Sequence, residues 1–229
     1  PQLDTDVADI LYTSGTTGRP KGTVHTHAGF LVKTARDMHF DFEVTPGDDF
    51  WWLTDLGWIM GPWQLIGSHA LGSTVHSYTG GSNPAKLLGI VEEEEIDRWG
   101  ISPSAARKMR EEEPGQRFEL GSLEVVGSTG EPLDRDSWYW MKEDLGEKEL
   151  PVINVSGGTE LGGHVLSPSP IERIKPTTVG KPILGVPASI KPYSGGERGS
   201  LVIEGSFPSL TDGLWKDRER YLDYWEGET

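Results

Sequence analysis

Short apolar runs alternate with longer amphipathic stretches along most of this chain. The short runs predict strands at 7–12, Asp49–Leu53, Thr74–Tyr78, Leu123–Gly127 and Pro151–Val155. The longer stretches predict helices at Ala28–His39, Gly61–Ala70, Pro84–Trp99 and Asp136–Leu145. Alternating strands and helices are typical of an α/β fold, which we assign to residues 1–165.

The pattern changes after Pro168, where short strands such as 201–204 are separated by Pro and Gly. This part, residues 166–229, is predicted to be a β-rich subdomain. The fold class expected for the whole chain is therefore a layered α/β sheet followed by a β-rich subdomain.

Composition narrows the function classes. The 229 residues carry a net charge of −15, which argues against non-specific nucleic-acid binding because that binding depends on Lys and Arg. The acidity fits either a highly soluble surface or adaptation to high salt. The absence of cysteine excludes disulfides, thiolate metal sites and a cysteine nucleophile. No apolar run approaches the roughly 18 residues that a bilayer span needs, so we expect a cytoplasmic protein without membrane contact.

The segment Tyr12–Gly22 carries the strongest chemical pattern. It combines four Ser or Thr hydroxyls, three glycines and Lys21 directly after a predicted strand. Hydroxyls, exposed backbone N–H groups and a lysine are suited to binding phosphate oxygens. A Walker P-loop requires adjacent Gly and Lys, whereas Arg19 and Pro20 separate Gly18 from Lys21 here. The segment predicts a polyphosphate loop of another kind, with a ligand-free turn as the alternative.

Two further turns follow predicted strands, at Gly127–Pro132 and Ser156–Glu160. Open α/β sheets bind ligands where loops leave the carboxyl ends of strands, so the three turns are expected to converge. Each later turn is ambiguous alone. Gly130-Glu131-Pro132 also makes an ordinary turn, and Thr159-Glu160 could be a helix cap.

In this order and separation, the three turns resemble those of the AMP-forming acyl-CoA synthetases, in the adenylate-forming superfamily. Segments 54–58, 199–203, 213–215 and 217–221 are similar to the acetyl-CoA synthetase-like branch, which acts on short- to medium-chain acids. The resemblance implies that the chain is the central part of a large N-terminal domain. It also implies that the start of that domain and a small C-terminal domain are absent, so that the chain alone is inactive.

The resemblance implies ATP, Mg²⁺ and the co-substrate CoA, and conversion of a carboxylic acid to acyl-AMP and then acyl-CoA, releasing AMP and pyrophosphate. It implies catalytic roles for Lys21, Thr159 and Glu160. Glu160 would hold Mg²⁺ and Thr159 the α-phosphate, while Gly130, Glu131 and Pro132 would lie against adenine. The implied β- and γ-phosphate ligands are Thr13, Ser14, Gly15, Thr16, Thr17, Gly18 and Lys21.

The candidate acyl pocket consists of Trp58, Met60, Thr129 and Gly157. Acetate-specific relatives carry a tryptophan where this chain has Gly157. We interpret the glycine as a missing indole that leaves a cavity for acids larger than acetate. The alternative is that Trp58 and Met60 are ordinary core residues.

Other patterns favour structural roles or remain open. His25 and His27 lack a third metal ligand and are interpreted as loop histidines. Segments 98–103 and 190–196 are shorter than the family pattern, so we hypothesise that residues are missing there. Two alternative functions stay open: a non-catalytic nucleotide-binding module, and an adenylation enzyme that loads a carrier protein. The sequence does not indicate the oligomeric state.

Overall fold

The computed structural model describes residues 3–14, 19–112, 118–194 and 196–223. The strands are β1 Val7–Thr13, β2 Lys21–Thr26, β3 Asp49–Trp52, β4 Thr74–His76, β5 Arg98–Ile101, β6 Val125–Ser128, β7 Val152–Asn154, β8 Ser156–Gly158, β9 Gly163–Ser167, β10 Lys181–Pro182, β11 Ala188–Pro192, β12 Gly199–Ile203 and β13 Gly213–Leu214. The helices are α1 His27–Phe42, α2 Met60–Leu71, α3 Pro84–Glu93, α4 Pro103–Glu112, α5 Arg135–Tyr139 and α6 Arg218–Leu222. A π-helical turn at Trp140–Asp144 extends α5, and Thr159–Leu161 is a 3₁₀ turn.

A five-stranded parallel sheet organises the fold, in the order β4-β3-β5-β6-β7. Successive side chains of a strand point to opposite faces, so the aromatic run of β3 supplies both cores. Trp51 stacks on Trp99 with ring centroids 5.8 Å apart on one face. Trp52 and Phe50 pack with Trp63 on the other face. The predicted α/β class is confirmed.

Three small antiparallel sheets adjoin this layer: β1-β2-β13, β10-β9-β8 and β11-β12. Strands of these small sheets, rather than of the parallel sheet, directly precede two of the predicted turns. Strand β1 pairs antiparallel with β2, Thr13 with Lys21, so the predicted phosphate loop follows a strand that does not belong to the parallel sheet. Thr159 follows β8, an extra short strand after β7. Only Leu11 of β1 is buried.

The predicted helix Pro84–Trp99 is wrong in its second half. Helix α3 ends at Glu93, Glu95 has a left-handed φ of 48°, and β5 begins at Arg98. The Arg98 guanidinium donates there to the carbonyls of Phe42 and Glu43, at 3.0 and 3.1 Å. A strand therefore already lies before Ser102-Pro103.

The hypothesis of missing residues stays a prediction at both positions, where the described strands pair as follows. Strand β5 pairs in register with both β3 and β6. Strands β11 and β12 pair from Ala188↔Ile203 to Pro192↔Gly199, which accounts for the other segment apart from residue 195, outside the described part.

The remaining predicted elements are confirmed with shifts of a few residues. Helix α1 runs further than predicted, to Phe42, and α4 was not predicted. The division at residue 165 stays a prediction, although β13, from the second part, pairs with β2. No helix in the described ranges is both long and apolar enough to cross a bilayer.

Candidate functional site

A cavity of about 450 Å³ opens where β3, β5, β6 and β7 end. This is the edge at which parallel α/β sheets bind ligands. Its size falls within the range of small-molecule sites, ~300–1,000 Å³. The lining residues are Trp52, Leu53, Thr54, Asp55, Trp58, Ile59, Met60, Ser102, Thr129, Gly130, Val155, Gly157, Gly158, Thr159, Gly163 and His164.

All four residues predicted to form the acyl pocket line this cavity. Met60 is buried in the core beside α1, whereas Trp58 is 72% exposed and is therefore not a core residue. Thr129 is held by its hydroxyl, which donates to the carbonyl of Val155 over 2.8 Å and ties the ends of β6 and β7 together. Thr129 thus forms a fixed polar side of the cavity, and Trp58 forms a wall of it.

Gly157 lines the cavity with its backbone only. It pairs with His164 in β9, and a Cβ at this position would fall 2.0 Å from the carbonyl oxygen of Gly163. Any side chain there would push β8 from β9 before reaching the cavity. The interpretation of Gly157 as a missing indole is therefore wrong for this backbone, in which glycine serves a close strand contact.

A second cavity, of about 560 Å³, shares Thr129, Gly130, Val155 and Gly157 with the first. The turn Gly130-Glu131-Pro132 forms one side of it. Gly130 has a φ of +98° and open space where a Cβ would stand, a conformation that favours glycine and leaves the backbone accessible. A flat ring could approach the turn closely from this side.

Lys21 and Glu160 form an ion pair beside these cavities. Their side chains are 13% and 25% exposed, so the pair is partly shielded from water. The backbone of Glu160 is fixed as well, since its carbonyl accepts from the N–H of Thr211 over 2.8 Å. One cation and one carboxylate, predicted to bind phosphate and Mg²⁺, are thus brought into contact.

The start of the predicted phosphate loop lies next to Lys21. Thr13 ends β1, and its buried hydroxyl makes no hydrogen bond within the described ranges. Ser14 is exposed. Gly15, Thr16, Thr17 and Gly18 lie outside the described residues.

The donor set at Glu160 fits Mg²⁺. Mg²⁺ prefers hard oxygen ligands and is usually held by one or two carboxylates together with substrate phosphates. Glu160 supplies such a carboxylate, and the Thr159 hydroxyl lies beside it. Within the described part of the chain, the group of three potential metal ligands is Asp37, Asp41 and His164, not Glu160. A metal at Glu160 would therefore take its other ligands from substrate and water.

His25 was predicted to be a loop residue, but it lies in β2 with 1% of its surface exposed. Burial lowers the pKa of the imidazole from 6.5, and the backbone of Thr159 and the charges of Asp9 and Glu160 only partly oppose this. His27 begins α1. Neither histidine belongs to the group of metal ligands found in the described ranges.

Several lining residues escaped sequence analysis. Ser102 and Asn154 directly follow or end parallel strands, and this position could have identified them. Thr177 and Val179 line the second cavity from a distant loop, where Asn154 donates to the carbonyl of Thr177 over 3.4 Å. No local pattern marks them.

A larger groove lies elsewhere. It has a volume of about 990 Å³ and runs between the end of α1 and residues 167–184. None of the predicted site residues lines it. We place the candidate site in the two smaller cavities because they are lined by the Gly130–Pro132 turn and by Thr159, which precedes Glu160 of the Lys21–Glu160 pair.

The fold and these cavities define a nucleotide-binding α/β protein of the adenylate-forming class. Residues 1–215 match the model of the AMP-binding enzyme family, and the chain belongs to this family.

Relatives of this chain include acyl-CoA synthetases. The acetyl-coenzyme A synthetase of Campylobacter jejuni (strain 81-176) is 32% identical over 95% of the chain, and that of Helicobacter acinonychis is 34% identical over 93%. The chain spans about a third of the length of these relatives, 35% and 34%.

Solved structures agree on the fold. Acetoacetyl-CoA synthetase from Streptomyces lividans superposes with a TM-score of 0.87 and 27% identity, over 97% of this chain and 36% of that protein. An anthranilate CoA ligase in complex with anthranoyl-AMP has a TM-score of 0.83 over 99% of this chain and 44% of its own, and at 22% identity it supports the fold alone.

Proposed function

We propose that the protein containing this chain activates a short- to medium-chain carboxylic acid with ATP and transfers the acyl group to CoA. The observation that carries the proposal is the Lys21–Glu160 pair next to Thr159, which lines the cavity beside Trp58, while the adjoining cavity is lined by the Gly130–Pro132 turn. A nucleotide and an acid bound in these cavities would meet at Thr129 and Gly157, which line both.

Two steps make up the proposed reaction. A carboxylate oxygen attacks the α-phosphorus of ATP, and the bond from that phosphorus to the pyrophosphate oxygen breaks. The CoA sulfur then attacks the acyl carbonyl carbon, AMP leaves, and the thiol proton is released. Such phosphoryl chemistry depends mainly on positioning and on stabilising charge rather than on a covalent enzyme group.

The roles assigned to this chain follow from those needs. Lys21, the Thr13 hydroxyl and the loop residues 14–18 would donate to the β- and γ-phosphate oxygens. Thr159 would donate to the α-phosphate, and Gly130, Glu131 and Pro132 would cover the adenine. Glu160 would hold Mg²⁺, which supplies neutralising charge on the phosphates when bound.

The substrate proposal rests on the volume of the acyl cavity. About 450 Å³ exceeds what the methyl group of acetate requires, and Trp58, Ile59 and Met60 give it an apolar side. We therefore propose acids larger than acetate, with cytoplasmic ATP and CoA as co-substrates.

Thioester formation by the full gene product tests the proposal. Acetate, propionate, butyrate, isobutyrate and hexanoate would each be supplied with Mg²⁺–ATP, with and without CoA. We expect acyl-CoA and AMP with the larger acids, and acyl-AMP alone when CoA is omitted. Strict acetate preference would contradict the substrate class. Thioester formed on a carrier protein but not on CoA would support the carrier-loading alternative.

A further inference from the structure

A network of buried charges lies beneath the acyl cavity and has no role in the proposed chemistry. Two carboxylates, Asp37 and Asp41 of α1, contact Lys33 and Arg36 of the same helix. His164 of β9 completes the network, with its Nε2 atom 2.7 Å from an Asp41 oxygen. Lys33 is 5% exposed, Asp37 is fully buried and His164 is 2% exposed.

Such a network costs stability. Removing charges from water is expensive, and apolar replacements of buried ion pairs are often neutral or stabilising. Burial lowers the pKa of Lys33 even though Asp37 favours its charged form. Retention of these charges therefore calls for a reason other than stability.

The network is not a free cation site. Asp37, Asp41 and His164 are near enough to share a metal ion. However, Lys33 and Arg36 already contact the two carboxylates, and the indole N–H of Trp63 donates to Asp37 over 3.1 Å. Lys33 and Arg36 thus occupy the carboxylate oxygens that a metal ion would need as ligands.

The network reaches the candidate site through the backbone of β9. The Lys33 ammonium donates to the carbonyl of His164 over 2.6 Å. Gly163 has a φ of +139°, and a Cβ there would stand 3.0 Å from Asp37 and 3.2 Å from the Lys33 nitrogen. The first two residues of β9 are therefore held directly against α1.

These two residues flank the turn that carries Thr159 and Glu160. Gly163 pairs with Gly158, and His164 pairs with Gly157, so β8 and β9 enclose the turn as a hairpin. The base of this hairpin is the part that Lys33 and Asp37 hold.

We propose that Lys33 and Asp37 are positioning residues that fix the β8–β9 hairpin, so that Thr159 and Glu160 stay at the edge of the acyl cavity. The kinetic part of this inference rests on the proposed function. The structural part does not, because it concerns the order of the hairpin itself.

The test uses the full gene product and the double variant Lys33→Met/Asp37→Leu. The single variant Lys33→Met would leave a buried carboxylate short of a partner and could unfold the protein, whereas the double variant replaces the pair with apolar groups. Lys108→Met is the matched control. Lys108 also lies near an acidic residue four positions on, 3.7 Å from Glu112, and donates to the carbonyl of Ser82 over 2.9 Å, but on an exposed face of α4.

The first readout is amide hydrogen exchange of a peptide spanning 156–164. We expect exchange about tenfold faster in the double variant, with β5 and β6 unchanged and the melting temperature near that of the wild type. Wild-type exchange in this peptide would overturn the proposal. Equal acceleration throughout the parallel sheet, or the same local effect in Lys108→Met, would also overturn it.

The second readout is turnover. We expect kcat with the preferred acid to fall about tenfold in the double variant while the fold remains intact, because small displacements of positioned groups slow the chemical step. Unchanged kcat would overturn the positioning role in catalysis. If the wild type activates no acid, the proposed function fails, and hydrogen exchange still decides whether the network orders the hairpin.

Discussion

The ammonium of Lys21, at the start of β2, pairs with the carboxylate of Glu160, in the turn that follows β8. Lys21 belongs to the β1-β2-β13 sheet, whereas Glu160 lies in the turn that joins β8 to β9 of another antiparallel sheet. Neither residue alone indicates a ligand. Their pairing beside two cavities places the charges that Mg²⁺–ATP would need at one point.

Replacing the carboxylate tests this arrangement. Glu160→Gln keeps the shape of the side chain but removes its charge, and charge-assisted contacts are worth about 1.5–3 kcal/mol. We expect the Mg²⁺ concentration for half-maximal pyrophosphate release to rise about tenfold or more. The measurement is a Mg²⁺ titration at constant ATP.

Glu149→Gln is the control for that titration. Glu149 also accepts from a lysine, Lys142, at 2.6 Å, but it is exposed and distant from the cavities. It should leave the Mg²⁺ dependence unchanged. An unchanged dependence in Glu160→Gln would remove Glu160 from the metal site.

Gly157 is expected to tolerate no side chain. In Gly157→Ala the added methyl would collide with the carbonyl of Gly163, so we expect a loss of about 1–3 kcal/mol in the free energy of unfolding. Gly81→Ala is the control, because nothing lies within 4 Å of its added carbon, and it should change stability by less than about 0.5 kcal/mol. Urea denaturation gives both values. Equal stabilities would contradict the close β8–β9 contact.

His25 is expected to make stability depend on pH. Its pKa is lowered in the folded state, so below about pH 6.5 the unfolded chain binds the proton more readily than the folded protein. Stability should therefore decrease as pH falls from 6.5 through the folded-state pKa, and should be unaffected by this group at higher pH. His25→Phe should flatten that part of the curve, since the ring already packs on Phe30 with centroids 5.2 Å apart.

Melting temperatures between pH 5 and 8 provide this comparison. The control is His69→Gln, at an exposed position near the end of α2. It should follow the wild-type curve. Parallel curves for His25→Phe and the wild type would show that protonation of His25 does not oppose folding.

Local patterns were sufficient for four of the five strands of the parallel sheet, all except β5, and for the turns at Gly127–Pro132 and Ser156–Glu160 that line the two cavities. The aromatic run 50–52 predicts β3 because large apolar residues on both faces are typical of a strand buried on both sides. The Gly130-Glu131-Pro132 turn was recognisable because its backbone conformation requires glycine.

The predictions from the sequence were wrong where contacts with residues distant in the chain decide the local structure. Arg98 and Gly100 look unsuited to a central strand. In the fold, carbonyls at the end of α1 accept hydrogen bonds from the arginine, and the Trp52 indole covers the glycine, with its Cδ2 atom 2.1 Å from an added Cβ. The sequence also could not show that a side chain at Gly157 would collide with β9, because the collision depends on how β8 pairs with β9. A sequence pattern shows which side chains a segment carries, but it does not show which distant strand or helix will contact that segment.

The most direct test of the central claim is exchange of labelled pyrophosphate into ATP by the full gene product, without CoA. The account predicts label in ATP only when a carboxylic acid is present, with stronger exchange for butyrate than for acetate. It also predicts that Lys21→Met lowers this exchange at least about tenfold, because a charged phosphate contact is lost. Measurable ATP binding without acid-dependent exchange, for any acid, would contradict acyl-adenylate formation and would favour a non-catalytic nucleotide-binding module.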